Sequence, residues 1–267
     1  MKFTIITAVY NNAAHLESAL KSVLGQTYAN LEYIVIDGGS TDGCVDILRQ
    51  AQDDLLRSGG GRTGQAQDDT LRQAQGDRKF KWISEPDNGI YEALNKGIRL
   101  ASGDVIGILH SDDVFTDEHV IEKVAAIFEK RNAHLLYSDL EYIDKNNKTF
   151  RKWRSGKFKS LRFGWMPPHP TLFVKKSLFD KYGLYDTRLQ ISSDYEMVLR
   201  LFGKENLRVS YLPEVTVKMR TGGASNRSIG NIVQKSREDY LALKSNHMAL
   251  PFFTLLCKNV RKVGQFV

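Results

Sequence analysis

With 267 residues, 42% of them hydrophobic and 26% charged, the chain can form one large domain, or a domain with an extension, and has an ordinary soluble composition. It has nothing near the roughly 20 apolar residues of a membrane-spanning helix, and the apolar run in MKFTIITAVYNN is too short for a signal peptide. The net charge of +7 suggests acidic partners, but the basic residues are spread out and show no nucleic-acid-binding fingerprint.

FTIITAV (Phe3–Val9) predicts a strand, rich in β-branched residues. Asn12 can cap the helix that follows, where Leu16, Ala19, Leu20, Val23 and Leu24 recur at helical spacing. LEYIVID (Leu31–Asp37) predicts a second strand, and GGST leads into a short helix ending at Leu48. This alternation predicts an α/β fold with a parallel sheet. Cys44 and Cys257 lack metal-type spacing and read as two reduced thiols in a cytosolic protein. Residues 49–78 break the rhythm: QAQDD occurs at Gln50 and Gln65, and QAQGD at Gln73. Their uneven spacing argues against a solenoid and for a low-complexity insertion in a surface loop. KFKWISE is then a strand, PDNG a turn, IYEALNKGIRLAS a helix and VIGILHS a strand. Asp117 can cap a helix running to about Lys130. HLLYSDL is another strand, and EYIDKNNKTFRKW reads as a hairpin around Asn146–Asn147. The later segments are mixed: TLFVKK a strand, SLFDKYG and SSDYEMVLRLF helices, VSYLPEVTVKM extended, RTGGASNRS a loop, and the remainder helical.

Ligands of open α/β sheets bind beyond the carboxyl ends of the strands. All four such ends are polar or small here: TAVYNN, DGGSTD, EPDNG and SDD. The adjacent carboxylates Asp112 and Asp113 repel each other and would raise each other's pKa. A divalent cation removes that conflict. Hard Mg²⁺ or Mn²⁺ takes one or two carboxylates plus substrate phosphates. Two aspartates after a strand can also simply cap the next helix. Asp37, beside a Gly-Gly turn, can accept from uracil, thymine or guanine, or it can cap a helix. Tyr10 can stack on a base or pack at the rim.

TAVYNN, VIDGGSTDG, DNGIYEALNKGI and ILHSDD occur in the order and spacing of the family 2 glycosyltransferases, which this chain resembles from about Lys2 to Arg227. The likeness is to bacterial members that build surface polysaccharides such as capsule, O-antigen or colanic-acid-type polymers. It implies a GT-A fold: a Rossmann-like, mostly parallel sheet flanked by helices, with a mixed acceptor-side half. Residues 1–227 would form this domain and residues 228–267 a helical extension. It implies that Thr7, Ala8, Tyr10, Asn12, Asp37, Gly39, Ser40, Asn95, Lys96, Ser111, Asp112 and Asp113 serve the nucleotide-sugar donor. Asp113 and Asp112 would hold Mg²⁺ or Mn²⁺, Asp113 as its direct ligand and Asp112 nearer the ribose or sugar. The chain departs from the family at Leu94, where arginine is common and Lys96 would compensate, and at His110, where asparagine is common.

Inverting transfer needs a base for the acceptor hydroxyl. The resemblance assigns it to Asp194, preceded here by Ser193 where the family usually has glutamate, with Glu196 in reserve. As a bare feature Asp194 is a helix cap. His169, between prolines, is an acceptor-side wall or a structural histidine. Arg220–Ser225 would be a lid that offers backbone N–H groups and an arginine to the diphosphate. The tail from Ala249 mixes aromatic and aliphatic residues with Lys258, Arg261 and Lys262. It can lie on an anionic membrane surface, close the core or form a dimer contact. The expected protein is an inverting, metal-dependent transferase, cytoplasmic or peripheral on the inner membrane face. It would use a UDP-linked donor and a glycan or polyprenyl-lipid-linked acceptor, and bind no nucleic acid. The competing readings are a sugar nucleotidyltransferase, against which the loop AVYNNAAH lacks lysine and arginine, and a non-catalytic nucleotide-sugar-binding homologue.

Overall fold

β1 (Phe3–Val9) and β2 (Leu31–Asp37) are buried along their whole lengths, as unbroken apolar runs require when both faces of a parallel sheet are covered. The computed structural model describes residues 1–59, 79–220 and 229–263. The later repeat copies, the loop after Arg220 and the last four residues lie outside the described residues. The chain divides into two units, residues 1–126 and 127–267.

In the first unit, β3 (Lys79–Ser84), β2, β1 and β4 (Val105–Ile108) lie side by side in that order, all parallel. Val9 stands opposite Asp37, and Asp37 opposite Ser84, so the carboxyl ends of these three strands are level. The outermost strand, β3, is half-buried. Helix α1 (Ala13–Leu24) buries Leu16, Ala19, Leu20 and Val23 of its periodic positions and leaves Leu24 half-buried at its end. Helix α2 (Cys44–Gly59) does not stop at Leu48 but continues through the first QAQDD copy, whose residues are good helix formers. Helix α3 (Ile90–Leu100) follows the PDNG turn, and the two-residue strand β5 (Val114–Phe115) follows the Asp pair. Helix α4 (Val120–Arg131) begins just after Asp117, whose Oδ1 accepts the His119 amide at 2.8 Å.

In the second unit, β6 (Leu135–Ile143) is the centre. It pairs antiparallel with β7 (Thr149–Trp153) and β8 (Phe173–Lys175), and parallel with β9 (Val209–Arg220). The β6–β7 hairpin turns with Asn147 in the left-handed region, φ 60°, which asparagine tolerates better than most residues. Tyr137, Phe158, Trp165 and Phe202 form an aromatic cluster with centroids 4.9 to 5.9 Å apart. Around it lie α5 (Lys176–Tyr182), α6 (Ser193–Phe202), α7 (Ile229–Ser245) and α8 (Pro251–Val263). The expected extension thus packs inside this unit, α7 against α6 and α8 against the turn Leu161–Phe163. Cys44 and Cys257 are free thiols. Among the described residues no helix is long and apolar enough to cross a membrane.

Candidate active site

The four strand ends of the first unit are tied into one hydrogen-bonded rim. Asn11, at φ 47°, turns the chain after β1. Its amide donates to Ser40 Oγ at 2.8 Å, and its Oδ1 accepts the Thr41 amide at 2.9 Å. Asn12 stands at the N-cap position of α1, yet its side chain does not cap. It donates instead to Ser111 Oγ at 2.8 Å, joining the β1 and β4 ends. The cap expected of Asn12 comes from Asp42, which accepts the Ala13 amide at 2.8 Å. Burial would raise the Asp42 carboxyl, but the amides of Ala13 and Cys44 outweigh it and hold it below the usual range.

Asp37 is wholly buried. It accepts from the amides of Gly39 and Ser40 and from the hydroxyls of Ser40 and Ser84. These four bonds match the roughly four acceptor sites of a carboxylate. Asp37 therefore fixes the loop 38–40 in place. A Cβ on Gly38 would lie 2.8 Å from Asp87 Oδ2, so a side chain there would push the Asp87 carboxylate aside.

The other expected donor residues divide by exposure. Thr7 is buried, donating to the Leu109 carbonyl at 2.7 Å and meeting Tyr33 OH at 3.0 Å. Ala8 and Asn95 are also buried, and Leu94, in the family's arginine position, is core. Lys96 pairs with Glu85. Tyr10 is 66% exposed and is the large open surface of the rim. Gly39 and Ser40 are half-buried and Ser111 is buried. Asp112 is half-buried and Asp113 fully so, its amide donating to the His110 carbonyl at 3.0 Å. As a donor set the pair fits Mg²⁺ or Mn²⁺: two hard carboxylates at the end of a strand. Among the described residues no three His, Cys, Asp or Glu side chains are grouped for a metal. A cation here would complete its shell with phosphate and water oxygens.

In the second unit, Asp194 is the second residue of α6, partly buried, with Oδ1 2.7 Å from the Tyr195 amide. Burial would raise its carboxyl, but Lys235, His169 and Lys258 outweigh that, and the group is held below the ordinary range. Glu196 is committed elsewhere. Arg200 meets it at 2.9 to 3.2 Å, and the same guanidinium donates to the carbonyls of Tyr182, Gly183 and Leu184. His169 is buried, with Nε2 2.8 Å from Tyr185 OH. Sequence reasoning missed the roles of Asn11 and Asp42, and of Glu238, which grips the lead-in to α6. The available signals were an STDG turn and an adjacent acid pair in the otherwise basic KSRED segment.

Residues 4–187 match the family model described as glycosyl transferase family 2. The PGL/p-HBAD biosynthesis glycosyltransferase of Mycobacterium tuberculosis is 29% identical over 226 residues, covering 84% of this chain and 79% of the relative. Among solved structures, S. aureus TarS 1–349 in complex with UDP-GlcNAc is 15% identical with a TM-score of 0.62, covering 94% of this chain and 73% of that one. Of the longer TarS chain this protein spans 39%. The mannosyltransferase PcManGT from Pyrobaculum calidifontis, in complex with GDP-Man and Mn²⁺, is 15% identical with a TM-score of 0.65, covering 96% and 68%. At such identities the solved structures show a shared fold.

Proposed function

This chain belongs to glycosyl transferase family 2 and is a glycosyltransferase of GT-A fold, and from that premise we propose an inverting, metal-dependent transfer from a UDP-linked sugar to a glycan or lipid-linked acceptor in bacterial surface polysaccharide synthesis. The observation that carries this reading is the rim of the first unit, which ties four strand ends together and finishes in Asp112 and Asp113. Donor-bound relatives of the same fold support a nucleotide-sugar there.

Tyr10 would stack on the base, and Asp37 would shape the base pocket through the loop it fixes. Asp113 would hold the cation, with Asp112 toward the ribose or sugar. The bound ion would offset the charge of the departing diphosphate. Asp194 would take the acceptor hydroxyl's proton as that oxygen attacks the anomeric carbon and the bond to the diphosphate breaks. Its depressed pKa supports an ionised carboxylate at neutral pH.

Turnover is read as released nucleotide from a panel of nucleotide-sugars with Mn²⁺. Asp194→Asn should lower it by roughly 10²–10⁴-fold while UDP binding persists. Asp113→Ala should abolish the response to metal. Unchanged turnover in Asp194→Asn removes that residue as the base.

A peripheral membrane site is the second part of the proposal. On α8, Phe252, Leu256 and Val260 follow one another at four-residue spacing and are 76%, 62% and 61% exposed. Such a stripe on a chain of net charge +7 suits the surface of an anionic bilayer, where a lipid-linked acceptor would sit.

A further inference from the structure

The C-terminal helices carry a buried polar cluster that the transfer, as described so far, leaves unused. Glu238 of α7 is buried and accepts the amides of Gln190, Ile191 and Ser192 at 3.2, 2.7 and 3.0 Å, the three residues that lead into α6. Gln234 braces the same point, donating to Glu238 Oε1 at 2.9 Å and Gln190 Oε1 at 2.8 Å. Asp239, the next residue, meets Lys258 of α8 at 2.8 Å, with the two side chains 3% and 5% exposed. Lys258 Nζ also stands 3.3 Å from the centre of the Tyr195 ring, within the range of a cation–π contact. Tyr195 directly follows Asp194. Helix α8 reaches this depth because Gly164, at φ +67°, lets it approach: a Cβ there would be 2.2 Å from the Lys258 amide nitrogen.

The fold alone does not call for such a pair. Desolvating two charges is costly, and apolar residues of equal volume often stabilise as well or better. A buried lysine over the ring of Tyr195, the residue after Asp194, carries a positive charge that methionine would not.

We propose that the C-terminal helix pair positions and charges Asp194: Glu238 fixes the entry to its helix, and Lys258, oriented by Asp239 across the Tyr195 ring, keeps its carboxylate ionised. The inference rests on the reading of Asp194 as the base. The charged groups acting on Asp194 come from three elements: Lys235 of α7, Lys258 of α8 and His169 of the turn before β8. Tyr185 is a fourth neighbour, its hydroxyl pushed up first by burial and then by Asp194. Lys258 itself is drawn down to about 8, by burial first, with Asp239 opposing.

The full chain, labelled with ¹³C at aspartate carboxyls, allows Asp194 to be titrated without any donor. Its resonance is the one lost in Asp194→Asn. In the native chain it should titrate below the ordinary aspartate range. In the double variant Asp239→Leu, Lys258→Met, which keeps the volume and removes the charges, its midpoint should rise toward the ordinary aspartate range. An unmoved midpoint overturns the electrostatic role. Should the double variant fail to fold, Lys258→Arg and Lys258→Gln make the same comparison, and only the second should move the midpoint. For Glu238→Gln, the amides of residues 190–192 should exchange about ten-fold faster; unchanged protection overturns the positioning role. Failure of the base reading looks different: Asp194→Asn would keep its turnover, whatever the midpoint does.

Discussion

Glu32 holds a charge inside the apolar strands of the first unit. Its side chain is inaccessible to solvent, yet it accepts from Thr4 Oγ1 at 2.8 Å, the Ser102 amide at 2.7 Å, Ser102 Oγ at 2.9 Å and Lys81 Nζ at 3.2 Å. Burial alone would raise the carboxyl; the bonds from Ser102, Thr4 and Lys81 more than reverse that and lower it from an ordinary 4.5 to about 2. A depressed carboxylate stabilises the fold fully above its unfolded pKa, and that contribution fades as pH falls through the folded value. Glu32→Gln should therefore be less stable at neutral pH and lose less stability than the native chain between about pH 5 and 2. Urea denaturation midpoints measured across that range test this. Parallel acid limbs for the two proteins would mean the bonds do not hold the charge as described.

Helix α6 carries two acids in different surroundings. Asp194 lies in its first turn among positive groups, whereas Glu196 is clamped by Arg200, which also caps three carbonyls at the end of α5. Removing Arg200 would leave a largely buried carboxylate uncompensated. Arg200→Met should cost about 3 kcal/mol in chemical denaturation. Glu196→Gln should keep most of the turnover that Asp194→Asn loses; a loss in Glu196→Gln with Asp194→Asn unchanged would move the base to Glu196. Elements of this kind were legible in the sequence because buried parallel strands show as unbroken apolar runs and amphipathic helices as a period of apolar residues. The end of α2 was not, since QAQDD looks like low-complexity sequence while its residues favour helix. Nor was the use of Asn12. Its partner Ser111 stands 99 residues away, and the substitute cap Asp42 stands 29 residues from the Ala13 amide it accepts, so local spacing carries no information about either.

For the whole molecule, the placing of Asp37, Asp112 and Asp113 just beyond strand ends could be read because each closes or follows a run of apolar strand residues. Glu238 and Lys258 could not, because their partners are set by how three helices pack late in the chain. That packing gives α8 two unlike faces. One buries Lys258 against Asp239; the other presents Phe252, Leu256 and Val260 to solvent, with Phe253 resting edge-on against the half-exposed Phe163. An apolar stripe on a cationic protein should partition to an interface through area and charge together. The chain should co-sediment with vesicles containing phosphatidylglycerol, less with neutral ones, and less again as salt screens the attraction. Phe252→Glu with Leu256→Glu should abolish sedimentation while donor hydrolysis in solution stays as in the native chain, since both side chains point away from the Lys258 face. If the paired substitution leaves vesicle binding intact, the stripe is not the contact. If instead it changes the oligomeric state in sedimentation velocity, the face covers a second copy of the chain.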